Sequence, residues 1–355
     1  MACPLEVADD EQQHVNPLER GVRAIDAFQQ RTFPVNFVFG VVKKFGDDSA
    51  GSQAALIAYY GFLSIFPLLL VMITILSMVV SPGTEHRIVH SALSQFPIVG
   101  NQLSGPNGIH RLKSGSTVGL IIGLVGLAWG SLGITQAAQK AMAEVWNVPG
   151  VVRPGFFPRL GRSAAFLAVL FLNVIVTTVL TGISTFGGHG LPVRIGAIAI
   201  SLIVDVGIFI LAFRVLTPKT IKTACLVKGA VLAGVGWAVL QYIGTSLVAH
   251  QLRHSSQIYG FFASVLGLIA FIFLAAEITL YAAEANVVWE RRLWPRSIVQ
   301  PPLTKADIQV LTDIAMVGER RPEQSVEVHY DAAETETASA ADSADGDALQ
   351  HVPPD

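Results

Sequence analysis

Charge is scarce in this chain. Only 14% of its 355 residues are Asp, Glu, Lys or Arg, against about 25% in a soluble globular protein, so there is too little to clothe an ordinary water-exposed surface. Cysteine is scarcer still: Cys3 and Cys225 are the only two, which excludes a disulfide-stapled scaffold. No glycine-rich phosphate loop occurs, and ATP-driven work by this chain alone is not expected. Neither is a metal nuclease, which needs clustered carboxylates or histidines to hold its ions and activate a water. Aromatic residues interleaved with a basic patch, the mark of nucleic-acid binding, are missing as well. No catalytic residue, cofactor, metal site or nucleic-acid partner is therefore assigned.

Apolar sequence takes the place of the missing charge. Hydrophobic residues make up 52% of the chain and fall in six long runs, at 55–80, 117–137, 164–186, 195–216, 227–250 and 258–288. Each reaches the ~20 residues that a helix needs to cross a ~30 Å hydrocarbon core. Barrel strands would instead be ~10 residues of alternating polarity. The expectation is an all-α polytopic membrane protein with six transmembrane helices. The first run begins too late and runs too long for a cleavable signal peptide.

Lys and Arg set the expected orientation. Nineteen flank one side of the six runs, and five (Arg87, Arg111, Lys113, Arg194 and Arg253) fall on the other. The positive-inside rule then puts both termini in the cytoplasm of a cell whose plasma (inner) membrane holds the protein. Nine of the 26 acidic residues lie after Arg321, where there is no Lys or Arg, so the rest of the chain is basic and suits an anionic leaflet.

The chain divides accordingly. Residues 1–16 are expected to be disordered. Within 17–46, Leu18, Val22, Ile25 and Phe28 recur at helical spacing, as in an amphipathic helix lying on the interface or packed on the protein's own inner face. The transmembrane domain covers 47–296, a cytoplasmic juxtamembrane segment 297–321, and an acidic, poorly apolar disordered tail 322–355. The long outer connection 81–116 has room for a short helix near 85–96. The pairs His86 with His90 and His250 with His254 have metal-compatible spacing, but no Cys or close carboxylate completes either site except Glu85 beside the first pair.

Polar residues inside the runs are the candidate site. Pro67 lacks an N–H and should kink the first span, freeing the carbonyl of Leu63 beside Ser64. Such a kink would turn Tyr59 and Ser64 toward a partly hydrated cavity. Asp205, Gln241, Glu277, Tyr281 and Glu284 extend the same expectation, since an ionisable group at membrane depth costs at least ~2.5 kcal/mol. The plainer alternatives are a tyrosine belt, a packing proline, and a Glu284 close enough to the boundary to be solvated. Small residues mark close packing: Gly119 with Gly123, Gly126 with Gly130, and Gly229 and Gly267 on the fifth and sixth runs.

Three stretches, "AALIAYYGFLSIFPLLL", "AAQKAMAEVWNVPG" and "YGFFASVLGLIAFIFLAAEITLYAAEANVVW", resemble the YihY/BrkB membrane-protein family, once labelled ribonuclease BN. The likeness covers about residues 35–292, with Ala282 where the family has Gly and Phe271 where Trp is common. It implies an inner-membrane protein of about six spans, for which transport is suggested; the old ribonuclease label is disfavoured here by the missing cluster of carboxylates or histidines. Membrane lipids and an unknown lipid or small-molecule substrate are the expected partners. An envelope scaffold is the competing expectation.

Overall fold

The computed structural model describes residues 17–79, 117–186, 191–251 and 257–330. The described residues form helices joined by turns and irregular segments and include no strand. Two short helices, α1 (Pro17–Arg31) and α2 (Phe33–Asp47), lead into α3 (Ala50–Val79). Then follow α4 (Thr117–Val145), α5 (Phe156–Phe186), α6 (Leu191–Leu216), α7 (Val227–Gln251), α8 (Gln257–Arg291) and α9 (Lys305–Met316).

Five stretches of helix are long and apolar enough to cross a membrane: Ile121–Val145, Phe156–Thr177, Ile195–Leu216, Thr223–Gly244 and Val265–Arg291. Their outward faces carry large exposed apolar side chains such as Phe157, Ile203 and Leu266, as lipid requires. Only 6% of the Ile195–Leu216 stretch is buried in protein, so α6 lies at the rim. Beside these five runs α3, which is 30 residues long and continues as one helix through Pro67.

Packing is centred on α8, which touches α2, α3, α4 and α7. The core gathers at one end of the bundle, where Val41, Phe45, Met142, Phe213, Leu226, Leu280, Val288 and Leu293 are buried together. That end is shaped by tight helix terminations. At the close of α4 the Asn147 N–H donates to Glu144 O (2.7 Å) and the Val148 N–H to Ala143 O (2.8 Å), with Asn147 at φ 46°. This pairing is a Schellman closure, and Asn is among the non-glycine residues that best tolerate the left-handed region.

The described segments on either side of the long helices, α1, α2 and α9, pack at the same end. Residues 297–321, expected as a plain juxtamembrane segment, hold α9, which opens with a capping box between Thr304 and Asp307 and buries Ala306, Asp307 and Val310. The expected disorder of 1–16, the acidic tail beyond 330, the outer connection with its suggested helix, and His86, His90 and His254 lie outside the described residues.

Candidate functional site

Two arrangements of polar side chains stand out, and both sit at the core-bearing end. The first is buried. α2 turns Val41, Lys44 and Phe45 inward, so a lysine is carried into the core on an otherwise apolar stripe. Its Nζ donates to Val145 O (2.9 Å), pairs with Asp48 one turn on, and lies 3.1 Å from Glu284 Oε2. Lys44 and Glu284 are both fully buried, and neither Glu284 oxygen has a well-aligned hydrogen bond. Tyr281, one turn before Glu284, stacks on Phe45 with ring centroids 3.8 Å apart.

A second ionic knot ties α2, the end of α8 and α9. Arg296 is 1% exposed; its Nε donates to Asp307 Oδ1 (2.5 Å) and its Nη2 to Asp47 Oδ2 (2.7 Å). Lys43 Nζ reaches Asp307 at 2.9 Å. Burial by itself would raise the Asp307 carboxyl, but the Ser297 N–H, Arg296, Thr304 and Lys43 together hold it well below the usual carboxylate range. From α1, Asp26 accepts the Ile298 N–H (3.0 Å) and Gln29 donates to Arg296 O (2.6 Å).

The other arrangement is open. A cleft of about 550 Å³ runs between the α3, α4, α5 and α6 ends. Leu56, Trp129 and Leu132 form an apolar wall; Lys140, Arg153, Arg159 and Arg162 supply four cations, and no Asp or Glu lines it. Its apolar wall meets the outer surface of the bundle, for Trp129 is 71% exposed. Two buried polar atoms of lining residues have no partner, Gln139 Oε1 and Arg153 Nη2.

The expected seam of polar residues is distributed rather than convergent. Tyr59 points outward and is 57% exposed. Ser64 donates to Tyr60 O (2.6 Å) in its own helix and faces Gly130, where an added Cβ would lie 2.6 Å from its Oγ. Pro67 packs on Gly126, with 3.1 Å left for a Cβ, and Gly123 meets Leu70 and Val71. Pro67 and Ser64 thus sit in a helix–helix seam and do not line the cleft. Asp205 on α6, Gln241 on α7 and Glu277 on α8 are half-buried and are absent from the cleft wall. A solvated Glu284 is corrected outright, because Lys44 and the α2 core cover it completely.

Glycine expectations divide in the same way. Gly229 lies against α8, its N–H donating to Asn286 Oδ1 (3.1 Å), with Ala282 O only 2.9 Å from where a Cβ would stand. Gly133, on the same glycine-rich run but outside its small-residue pairs, meets the Tyr60 ring so closely that a Cβ would run into it. Gly267 is half-buried on α8, and the packing of Gly119 lies outside the described residues. Missed entirely were the pairing of Lys44 and the basic cleft. The available signals were a lysine inside the Val41/Phe45 stripe and four cations within 140–162 accompanied by a single acid, Glu144.

Residues 41–304 match the family described as Virulence factor BrkB. The chain belongs to the BrkB family. This BrkB-family protein is 24% identical over 318 residues to the "Inner membrane protein YhjD" of Escherichia coli (strain K12), covering 78% of this chain and 91% of that one. It is 25% identical over 264 residues to an uncharacterised protein of Dickeya dadantii (strain 3937), covering 68% and 79%. No solved structure matches it. Family membership and five membrane-length apolar helices make it an integral membrane protein.

Proposed function

We propose that this BrkB-family protein is a non-enzymatic permease for a lipid or small solute in the inner membrane, with α3 as the first of six spans and both termini cytoplasmic. The cleft carries the reading. About 550 Å³ lies between four helices that approach the bilayer from one side, within the usual range of small-molecule sites. The α4 part of its wall runs from Trp129 to Ala143, about 21 Å at 1.5 Å per residue, and so reaches from the basic end toward mid-membrane. The name of the Escherichia coli relative supports the inner-membrane placement, and the 19 to 5 distribution of Lys and Arg supports the orientation.

A second reading, an envelope scaffold, draws on the two ionic knots, which bind α1, α2 and α9 to the bundle as a rigid platform. Reconstitution separates the two. Proteoliposomes assayed for scrambling of labelled phospholipids and for efflux of a small-solute panel should show flux above protein-free vesicles. A well-folded protein with none across the panel would favour the scaffold.

A further inference from the structure

We infer that the cleft receives an amphiphilic anion, with a phosphate or carboxylate head group held by its arginines and an apolar body laid against Trp129 and its neighbours. This substrate class rests on the permease reading of the same cleft.

Charge is the first argument. Four cations face the cleft and no carboxylate lines it. Lys140 has a partner of its own, Glu144 at 3.7 Å, in a pair that is largely exposed and therefore weak. Among the described residues Arg153, Arg159 and Arg162 form no ion pair. Arg159 donates only to Pro154 O (3.3 Å), and Arg153 donates through Nε to Val148 O (3.1 Å) while its Nη2 is buried and unpartnered. A guanidinium nitrogen without an acceptor is costly to bury. An anion bridging these groups supplies the missing acceptor and relieves their mutual repulsion. The strain is visible at Arg153, where burial chiefly, with Arg159 and Arg320 adding to it and Glu144 opposing, pulls the guanidinium below its ordinary value.

The second argument is shape. A site for a free inorganic anion would be small and polar throughout, whereas here one wall consists of Leu56, Tyr60, Trp129 and Leu132. Because Trp129 is also part of the outward surface of α4, the apolar wall is continuous with the face that meets lipid. A molecule entering from the bilayer can keep its chain in hydrocarbon while its head group reaches the basic end. Basic pockets between membrane helices are a known setting for anionic lipid head groups. Gln139, buried beside the arginines with its Oε1 unpartnered, adds an acceptor for a hydroxyl on that head group.

The test uses the full-length protein purified in a neutral detergent, with thermal unfolding followed against added phosphatidylglycerol, phosphatidylcholine or sodium phosphate. Phosphatidylglycerol should raise the midpoint saturably, while phosphatidylcholine and sodium phosphate should not. Arg159→Gln and Arg162→Gln should each weaken the apparent affinity about five-fold, the loss expected for one surface cation, with each shift read against that variant's own lipid-free midpoint; Arg159→Lys should retain most of it. Trp129→Ala should weaken phosphatidylglycerol binding further. Equal shifts with both lipids, or full binding by the doubly substituted Arg159→Gln/Arg162→Gln protein, would overturn the inference. A response to sodium phosphate equal to that of the lipid would overturn it in favour of a free-anion site. Flux without anion preference leaves the permease and removes this substrate class, whereas anion binding without flux does the reverse.

Discussion

Lys44 Nζ stands 3.1 Å from Glu284 Oε2 with both side chains fully buried, so a helix at the start of the chain is pinned by charge to the last long helix. The cluster is unequal, for one ammonium faces two carboxylates, Asp48 and Glu284. Removing one partner of a buried pair leaves the other charge uncompensated, a loss of about 3–5 kcal/mol.

Lys44→Met should therefore be the most damaging change in the cluster, because it removes the one cation that Asp48 and Glu284 share. Glu284→Gln keeps the volume and leaves the Lys44–Asp48 pair intact, and should cost much less. Membrane abundance and thermal unfolding in detergent read the difference. If Glu284→Gln proved the more destabilising of the two, the assigned arrangement would be wrong.

The seam between α3 and α4 gives a graded series. A Cβ at Gly126 meets only Pro67 at 3.1 Å, at Gly130 it meets Ser64 Oγ at 2.6 Å, and at Gly133 it collides with the Tyr60 ring. Alanine at these positions should destabilise in the order 133, 130, 126, with the largest effect about 1–3 kcal/mol as for other overpacked sites. Adding Tyr60→Ala to Gly133→Ala should recover part of the loss in thermal unfolding. Equal effects at all three positions would mean the helices do not meet along this line.

The α9 knot should release in acid. Asp307 is held below its unfolded value of about 3.9, so its stabilising contribution is complete above that value and is lost as pH falls below it toward the depressed folded value. Asp26, where burial is outweighed by Gln29, the Ile298 N–H, Gln30 and the Val299 N–H, is lowered too and adds to the same trend. Protection from hydrogen exchange over 297–316, taken relative to the intrinsic rate at each pH, should hold from pH 7 to about pH 4 and fall below. Asp307→Asn should show fast exchange already at pH 7, since Lys43 and Arg296 would lose their shared carboxylate.

Topology is tested by reporter fusions after Tyr330 and between residues 100 and 108. The first should read cytoplasmic and the second external. The same side for both would exclude an odd number of spans between them, and with it the six-span arrangement, which puts α4 to α8 there.

The long apolar runs, the scarcity of charge and the uneven spread of Lys and Arg were enough to establish helices that cross a membrane, since hydrocarbon tolerates no unsatisfied backbone and helix satisfies it locally. Glycines on the second run likewise announced a close crossing, because only small residues let backbones approach. What these patterns do not contain is direction. A span that is apolar all round gives no sign of which face meets lipid and which meets protein, so Pro67 and Ser64 could be assigned to a cavity when they pack on Gly126 and Gly130. The same holds for charge. Lys44 reads as one more inside-positive residue until α2 folds back onto α8 and buries it against Glu284, and the cations of 140–162 read as orientation signals until four helix ends enclose them with Trp129 in one cleft. Local sequence chose the helices because each satisfies its own hydrogen bonds. Partners far apart in the chain were chosen only by packing, which decides what each side chain finally faces.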